Sequence, residues 1–247
     1  MSGGMTYYYT TVVPRPRSGR VTTSRREILE LGTAYVVLTF DLLLILSQGT
    51  ILSGNGTIDL AKVLSPGWAL VAATAAFTGF LAHELAHKIV AERRGFWAEF
   101  RMWPVGLLLS FFTAVVGFLW GAPGATMVGG MSESDRADWG RTSVAGPLTN
   151  VGFGVVFLGV GLLGARLSSG LVAPLLFLGW INGWFGTFNL IPIGLLDGRK
   201  VVRWSKAVWA SSIVFTGTIT VVSFLGYYSQ LIYGSPFHYF PTFGGGL

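Results

Sequence analysis

Apolar runs of about twenty residues or more recur along this chain, at 28–52, 66–92, 142–167, 171–190 and 207–228, and arginines and lysines cluster at their ends. Wound as a helix at 1.5 Å per residue, a run of that length crosses about 30 Å of hydrocarbon. Lipid offers no partner to a peptide N–H or C=O, so a lone spanning segment must satisfy its own backbone, and a helix does that. The pattern predicts an all-α polytopic membrane protein with about five to six transmembrane helices. Only 11 % of the residues are charged, against about 25 % in soluble domains. The net charge of +6 does not indicate a nucleic-acid partner, because the basic residues lie beside apolar runs and form no separate basic domain. They read as cytoplasmic flanks that set topology, in a multi-pass protein of the cell membrane with its N-terminus cytoplasmic.

The expected organisation is a cytoplasmic segment at 1–26, a membrane-embedded domain at 27–230 with its core at 66–210, and a C-terminal tail at 231–247. The first segment carries Tyr7-Tyr8-Tyr9, read as interfacial anchors, and Arg15, Arg17, Arg20, Arg25 and Arg26. It has no apolar core of a cleavable signal, so the first span is expected to direct insertion. Asp41 sits inside that span, either as a functional group or paired with a polar group on another helix. Residues 53–65, with Gly54-Asn55-Gly56, read as an external loop. Residues 96–130 predict a re-entrant element: Phe96-Trp97 and Trp103 as interfacial aromatics, then an apolar stretch over 105–120 too short for a comfortable span, as a short helix or hairpin, then a β-like strand; an ordinary short membrane helix is the alternative. Irregular backbone at that depth is allowed where it lines a cavity, and its edge could pair with an extended substrate. In the third span Asn150 either joins helices or faces a site, and Gly152, Gly154, Gly159, Gly161 and Gly164 allow close helix contact. Pro192 and Gly194 are expected to break the fourth span near its cytoplasmic end.

The second span ends in His83-Glu84-Leu85-Ala86-His87, an H-E-x-x-H motif that uses two of the chain's three histidines. On a helix, positions i and i+4 share a face one turn apart, so both imidazoles reach one metal ion. Glu84 points roughly 100° away from His83 and is placed to act on water rather than to bind metal. The motif lies roughly 9–15 Å from the Arg93 end, inside the bilayer toward the cytoplasm, and needs a protected, water-filled cavity. Catalytic zinc takes three protein ligands. The chain has no cysteine, and His238 lies in the tail on the other side of the membrane, so the third ligand should be a carboxylate at matching depth. Asp197, after the broken helix and between Leu196 and Gly198, is the best candidate. Glu92, Glu99, Asp135 and Asp138 are competitors in charged, solvated surroundings. Asp197 could alternatively cap a helix.

His83-Glu-Leu-Ala-His87 in one span and Asn189-x-x-Pro192-x-x-x-x-Asp197-Gly198 in a later one resemble the site-2 protease family of zinc intramembrane metalloproteases. Ala145-Gly146-Pro147-Leu148-x-Asn150 is similar to the Gly-Pro element of that family's third core helix. The resemblance covers about residues 66–210 and is to the minimal archaeal and bacterial members without PDZ or CBS domains. It implies Zn2+ held by His83, His87 and Asp197, Glu84 as general base, and Asn150 and Asn189 as groups that hold substrate backbone or oxyanion. The implied activity is hydrolysis of peptide bonds in transmembrane protein substrates, near the cytoplasmic side of the lipid bilayer, by activated water without a covalent intermediate. One departure is Leu195, where many relatives carry a second proline, which leaves the local bend open. An inactive relative that binds or transports membrane segments is the alternative. A prenyl-protein-processing protease is disfavoured, since no glutamate follows Glu133 to serve as a downstream ligand. A homo-oligomer is left open.

Overall fold

The computed structural model of the chain describes residues 20–48, 58–132, 134–164 and 169–234. The protein is a polytopic all-α membrane protein: among the described residues five helices are long and apolar enough to cross a membrane. Tyr7 to Tyr9, Arg15, Arg17, the Gly54-Asn55-Gly56 loop, Glu133 and His238 lie outside the described residues.

The first span is α1 (Arg25–Ser47), which starts where the Ser24 hydroxyl accepts the Glu27 N–H at 3.1 Å. A short α2 (Leu60–Val63) precedes α3 (Pro66–Ala76), whose proline sits in the first turn where no N–H is needed. The helix runs on through a π-helical turn, Phe77–Leu81, into α4 (Ala82–Arg93), so 66–93 forms one continuous span. Leu38, Leu42, Ala72, Ala75, Ala76, Phe177 and Ile181 belong to the main apolar core, where α1 and α3 pack together and α3 meets α7.

The re-entrant element expected at 96–130 is a helix flanked by two strands. β1 (Trp97–Met102) and β2 (Gly124–Gly129) pair antiparallel in the register Trp97↔Gly129 to Met102↔Gly124. Between them α5 (Pro104–Val115) is 12 residues long, too short to cross, since about 20 are needed. Trp97 therefore opens a strand that the sequence reading did not separate from its aromatic flank. The reason is visible on the far side of β1, where side chains replace a neighbouring strand. Lys88 Nζ donates to Ala98 O at 2.7 Å, Phe100 N to Glu27 at 3.0 Å, and Met102 N to Glu30 at 2.9 Å. Glu92, expected in charged, solvated surroundings, lies one turn after Lys88 on α4. Both are buried, Lys88 paired with Glu27 at 3.0 Å and with Glu92 at 3.4 Å. Asp41 has a partner of the kind expected on another helix, accepting from Ser110 Oγ on α5 at 2.7 Å.

The third span, α6 (Arg136–Gly164), begins earlier than expected and takes in part of the charged loop, with Pro147 inside it. The fourth, α7 (Ser169–Asn189), packs against both α6 and the last span, α9 (Lys206–Tyr233). Of the small residues expected to bring helices together, Gly154 lies against Ile219 and Gly161 against Leu175 and Leu176, whereas Gly152, Gly159 and Gly164 face open space. Between α7 and α8 (Asp197–Trp204) the chain bends through Pro192 and Gly194, the latter at φ 56°. That bend forms without a second proline, and Leu195 is 93 % exposed.

Candidate metal centre

His83 and His87 are one turn apart on α4, and their buried rings face α6 and the start of α8. His87 Nε2 lies 3.0 Å from His83 Nε2. Asp197 Oδ2 lies 3.0 Å from His87 Nε2 and 3.4 Å from His83 Nε2. Bonds of about 2.0–2.1 Å to a tetrahedral zinc put donor atoms about 3.3 Å apart, so this triangle has the size of one face of such a site. Among the described residues this is the one group of three His or carboxylate ligands close enough to share an ion.

The other ring nitrogens fix the tautomers. His83 Nδ1 donates to Asn150 Oδ1 at 2.5 Å, and His87 Nδ1 donates to the Thr142 carbonyl at 2.7 Å. With both Nδ1 atoms acting as donors, the neutral rings turn their Nε2 lone pairs toward each other and toward a carboxylate. Three acceptors crowded on one point hold together only around positive charge, and the donor set fits a zinc-like cation. Burial works to raise the pKa of the Asp197 carboxyl. When the rings also carry protons on Nε2, positive charge at His87, hydrogen bonds from both imidazoles and the nearby Lys200 outweigh it and hold the group below the ordinary carboxylate range. Asp197 is thus an ionised donor.

Local sequence explains how these side chains arrive. The π turn one helical turn before His83 leaves carbonyls off the regular ladder. Asn150 Nδ2 donates to Gly79 O at 2.9 Å there, while its oxygen takes His83. Asn182, also buried, donates to Thr78 Oγ1 at 2.9 Å and closes the same network. Gly146 lies directly beside the imidazoles: a Cβ there would stand 2.5 Å from the Nε2 atoms of both His83 and His87. On the opposite wall Asp197 is the first residue of α8, and Gly198 backs onto the Leu190 carbonyl so closely that any Cβ would collide with it. The Asp-Gly pair is thereby explained by close approach of two backbones.

Glu84 points to β2, as its offset on the helix requires. Its Oε2 accepts from Thr126 N at 2.8 Å and lies 2.7 Å from Thr126 Oγ1. The competing carboxylates are engaged elsewhere: Glu92 with Lys88 and Thr22, Glu99 with Arg101, Asp138 with Arg94, and Asp135 with the Ser132 backbone, which lowers the Asp135 pKa. Asn189 Nδ2 donates to Phe185 O at 3.0 Å along its own helix and makes no hydrogen bond to His83, Glu84, His87 or Asp197. Asn150 does both things weighed for it, joining helices and reaching the site, and its amide is engaged at both ends. Thr126, Thr142 and Asn182 escaped sequence reasoning. Gly146 was singled out with Pro147 and Asn150 as part of a Gly-Pro element, but its place against the two imidazoles needed the structure. Asn150→Ala is expected to weaken divalent-metal affinity about 10–100-fold by freeing the His83 ring. Competition with a chromogenic chelator measures this, and unchanged affinity would refute the orienting role.

The model of the family described as Peptidase family M50 matches residues 162–232, a stretch that holds Asn189 and Asp197. A protein of Methanocaldococcus jannaschii, named "Putative zinc metalloprotease MJ0611", is 37 % identical over 142 residues, covering 57 % of this chain and 73 % of that protein. A protein of Mycobacterium tuberculosis, named "Putative zinc metalloprotease Rip3", is 34 % identical over 125 residues, covering 50 % of this chain and 28 % of that protein. No solved structure matches the chain.

Proposed function

The chain belongs to peptidase family M50, and on that premise we propose that it is a zinc intramembrane endopeptidase that cuts transmembrane protein substrates near the cytoplasmic side of the bilayer. The observation that carries this reading is the convergence of His83, His87 and Asp197 on one point at the end of a spanning helix, with Glu84 between the two histidines in sequence. His83 Nε2, His87 Nε2 and Asp197 Oδ2 would hold the ion. When bound there, zinc polarises a carbonyl and makes water a stronger acid.

The chain's own residues do the rest. The Glu84 carboxylate accepts a proton from the attacking water as the water oxygen bonds to the scissile carbonyl carbon. It then passes that proton to the leaving nitrogen as the C–N bond breaks, leaving one carboxyl and one amine product. Asn150 and Thr142 keep the two imidazoles in the tautomer that offers Nε2. Asn189, whose second amide hydrogen has no partner among the described residues, is the proposed donor to substrate backbone or to the developing oxyanion. Asn150 can share that role only by giving up a present bond.

A helical substrate shields its carbonyls, so the segment must unwind before it is cut. An unwound strand can recover its backbone hydrogen bonds along β2. In this reading residues 27–230 form the protease domain, the N-terminus is cytoplasmic and the substrate enters from lipid. The test is mass-spectrometric mapping of products after incubation with a single-span substrate in bicelles. A cut within the apolar segment, close to its basic flank, is expected. Products cut only outside the apolar segment would refute the intramembrane reading.

A further inference from the structure

The small sheet has two outer edges, and they are finished differently. In an antiparallel pair, alternate residues direct both N–H and C=O away from the partner strand. On β1 these are Ala98, Phe100 and Met102, which Lys88, Glu27 and Glu30 cap at 2.7, 3.0 and 2.9 Å. Their partners on β2 are Val128, Thr126 and Gly124, so the same alternation sets the backbone groups of those three on the opposite edge. Among the described residues no strand pairs with that edge. One of its groups is already used, however: the Thr126 N–H donates to Glu84 Oε2 at 2.8 Å. The Thr126 hydroxyl lies 2.7 Å from the same oxygen and 3.1 Å from the Glu84 carbonyl, and its single hydrogen serves one of them at a time.

We propose that Thr126 is the positioning residue for Glu84, and that Glu84 and an extended substrate compete for its N–H. A strand laid across Thr126 needs that N–H whether it runs parallel or antiparallel, because an outward-facing residue uses both its backbone groups in pairing. Substrate docking therefore removes one of the two donors that tie the Glu84 carboxylate to β2. The hydroxyl remains as the single tether, and the carboxylate is free to swing toward the scissile bond only when the edge is filled. Base release is thus coupled to strand docking. The inference rests on the protease reading above.

Two variants that cannot cleave read the competition directly. Glu84→Gln keeps an acceptor for the Thr126 N–H, and Glu84→Ala removes it. A fluorescent single-span substrate in bicelles is expected to bind zinc-loaded Glu84→Ala about three- to tenfold tighter than Glu84→Gln, the worth of one neutral hydrogen bond. Equal affinities, or tighter binding by the Gln variant, overturn the competition. Steady-state kinetics read the hydroxyl. Thr126→Val keeps the branched shape that suits a strand and is expected to lower kcat about tenfold, with KM changed less than about twofold and with Thr126→Ser restoring kcat. A Val variant at wild-type kcat, or a Ser variant as slow as Val, overturns the positioning role. Wild type assayed on the same substrate separates the two levels of the argument. Absence of wild-type cleavage refutes the protease reading together with this one, whereas wild-type cleavage with equal Gln and Ala affinities overturns the competition alone.

Discussion

Glu84→Gln is expected to lower cleavage of a membrane-embedded substrate about 10²–10⁴-fold while the protein keeps its zinc. The substitution leaves the side chain's shape intact and removes only its capacity to take a proton. The metal-binding nitrogens are fixed by Asn150 and Thr142, on α6, and not by Glu84. The amide oxygen can still accept from Thr126 N, so β2 retains its anchor on α4. Metal content and the melting profile should therefore match wild type, and the loss should appear in kcat. A Gln variant that cuts at the wild-type rate would remove Glu84 from the mechanism. One that loses zinc would assign it to the metal instead.

Asp197→Ala should have the second large effect, on the metal itself. Asp197 Oδ2 is the anionic member of the triangle, 3.0 Å from His87 Nε2 and 3.4 Å from His83 Nε2. Without it two neutral imidazoles remain, and a two-ligand site binds zinc poorly. Since loss of a supporting residue around a metal costs 10–100-fold in affinity, loss of a ligand should cost more than about 100-fold. Cleavage at low free zinc should vanish in parallel. The helix start need not fail, because the closeness of Gly198 to the Leu190 carbonyl and the Trp209 indole hydrogen bond to that same carbonyl at 2.8 Å are independent of the Asp197 side chain. Dialysis against chelator-buffered zinc followed by metal analysis measures the effect, and wild-type zinc retention would point to a different third ligand.

Much of this was legible in the sequence, for identifiable reasons. Spanning helices are written as long apolar runs because lipid leaves the backbone no other partner, so α1, α3 with α4, α6, α7 and α9 fall close to where the runs lie. The two histidines of H-E-x-x-H must share a helix face, so their juxtaposition needs no tertiary information. Asp197 could be singled out because a broken helix puts a carboxylate where a third donor is needed, and it lies in the triangle. What stayed hidden depends on contacts between distant segments. β1 looks like an aromatic flank because its outer edge is satisfied by Lys88, Glu27 and Glu30 from two helices. Lys88 itself reads as a membrane-end charge until its buried partner, 61 positions earlier in the chain, is seen. The π turn at Phe77–Leu81 has no local residue signature, yet it frees the carbonyl that holds Asn150. Thr126, an ordinary strand residue, matters only through its reach to Glu84.

The most direct test is zinc dependence of cleavage by the purified wild-type chain in bicelles. Protein stripped with a chelator is mixed with a single-span substrate, and zinc is returned in steps up to one equivalent. The account predicts no cleavage without metal, recovery that saturates near one zinc per chain, and no recovery in Asp197→Ala at the same free zinc. Cleavage that persists in fully stripped protein, or that zinc fails to restore, would contradict it.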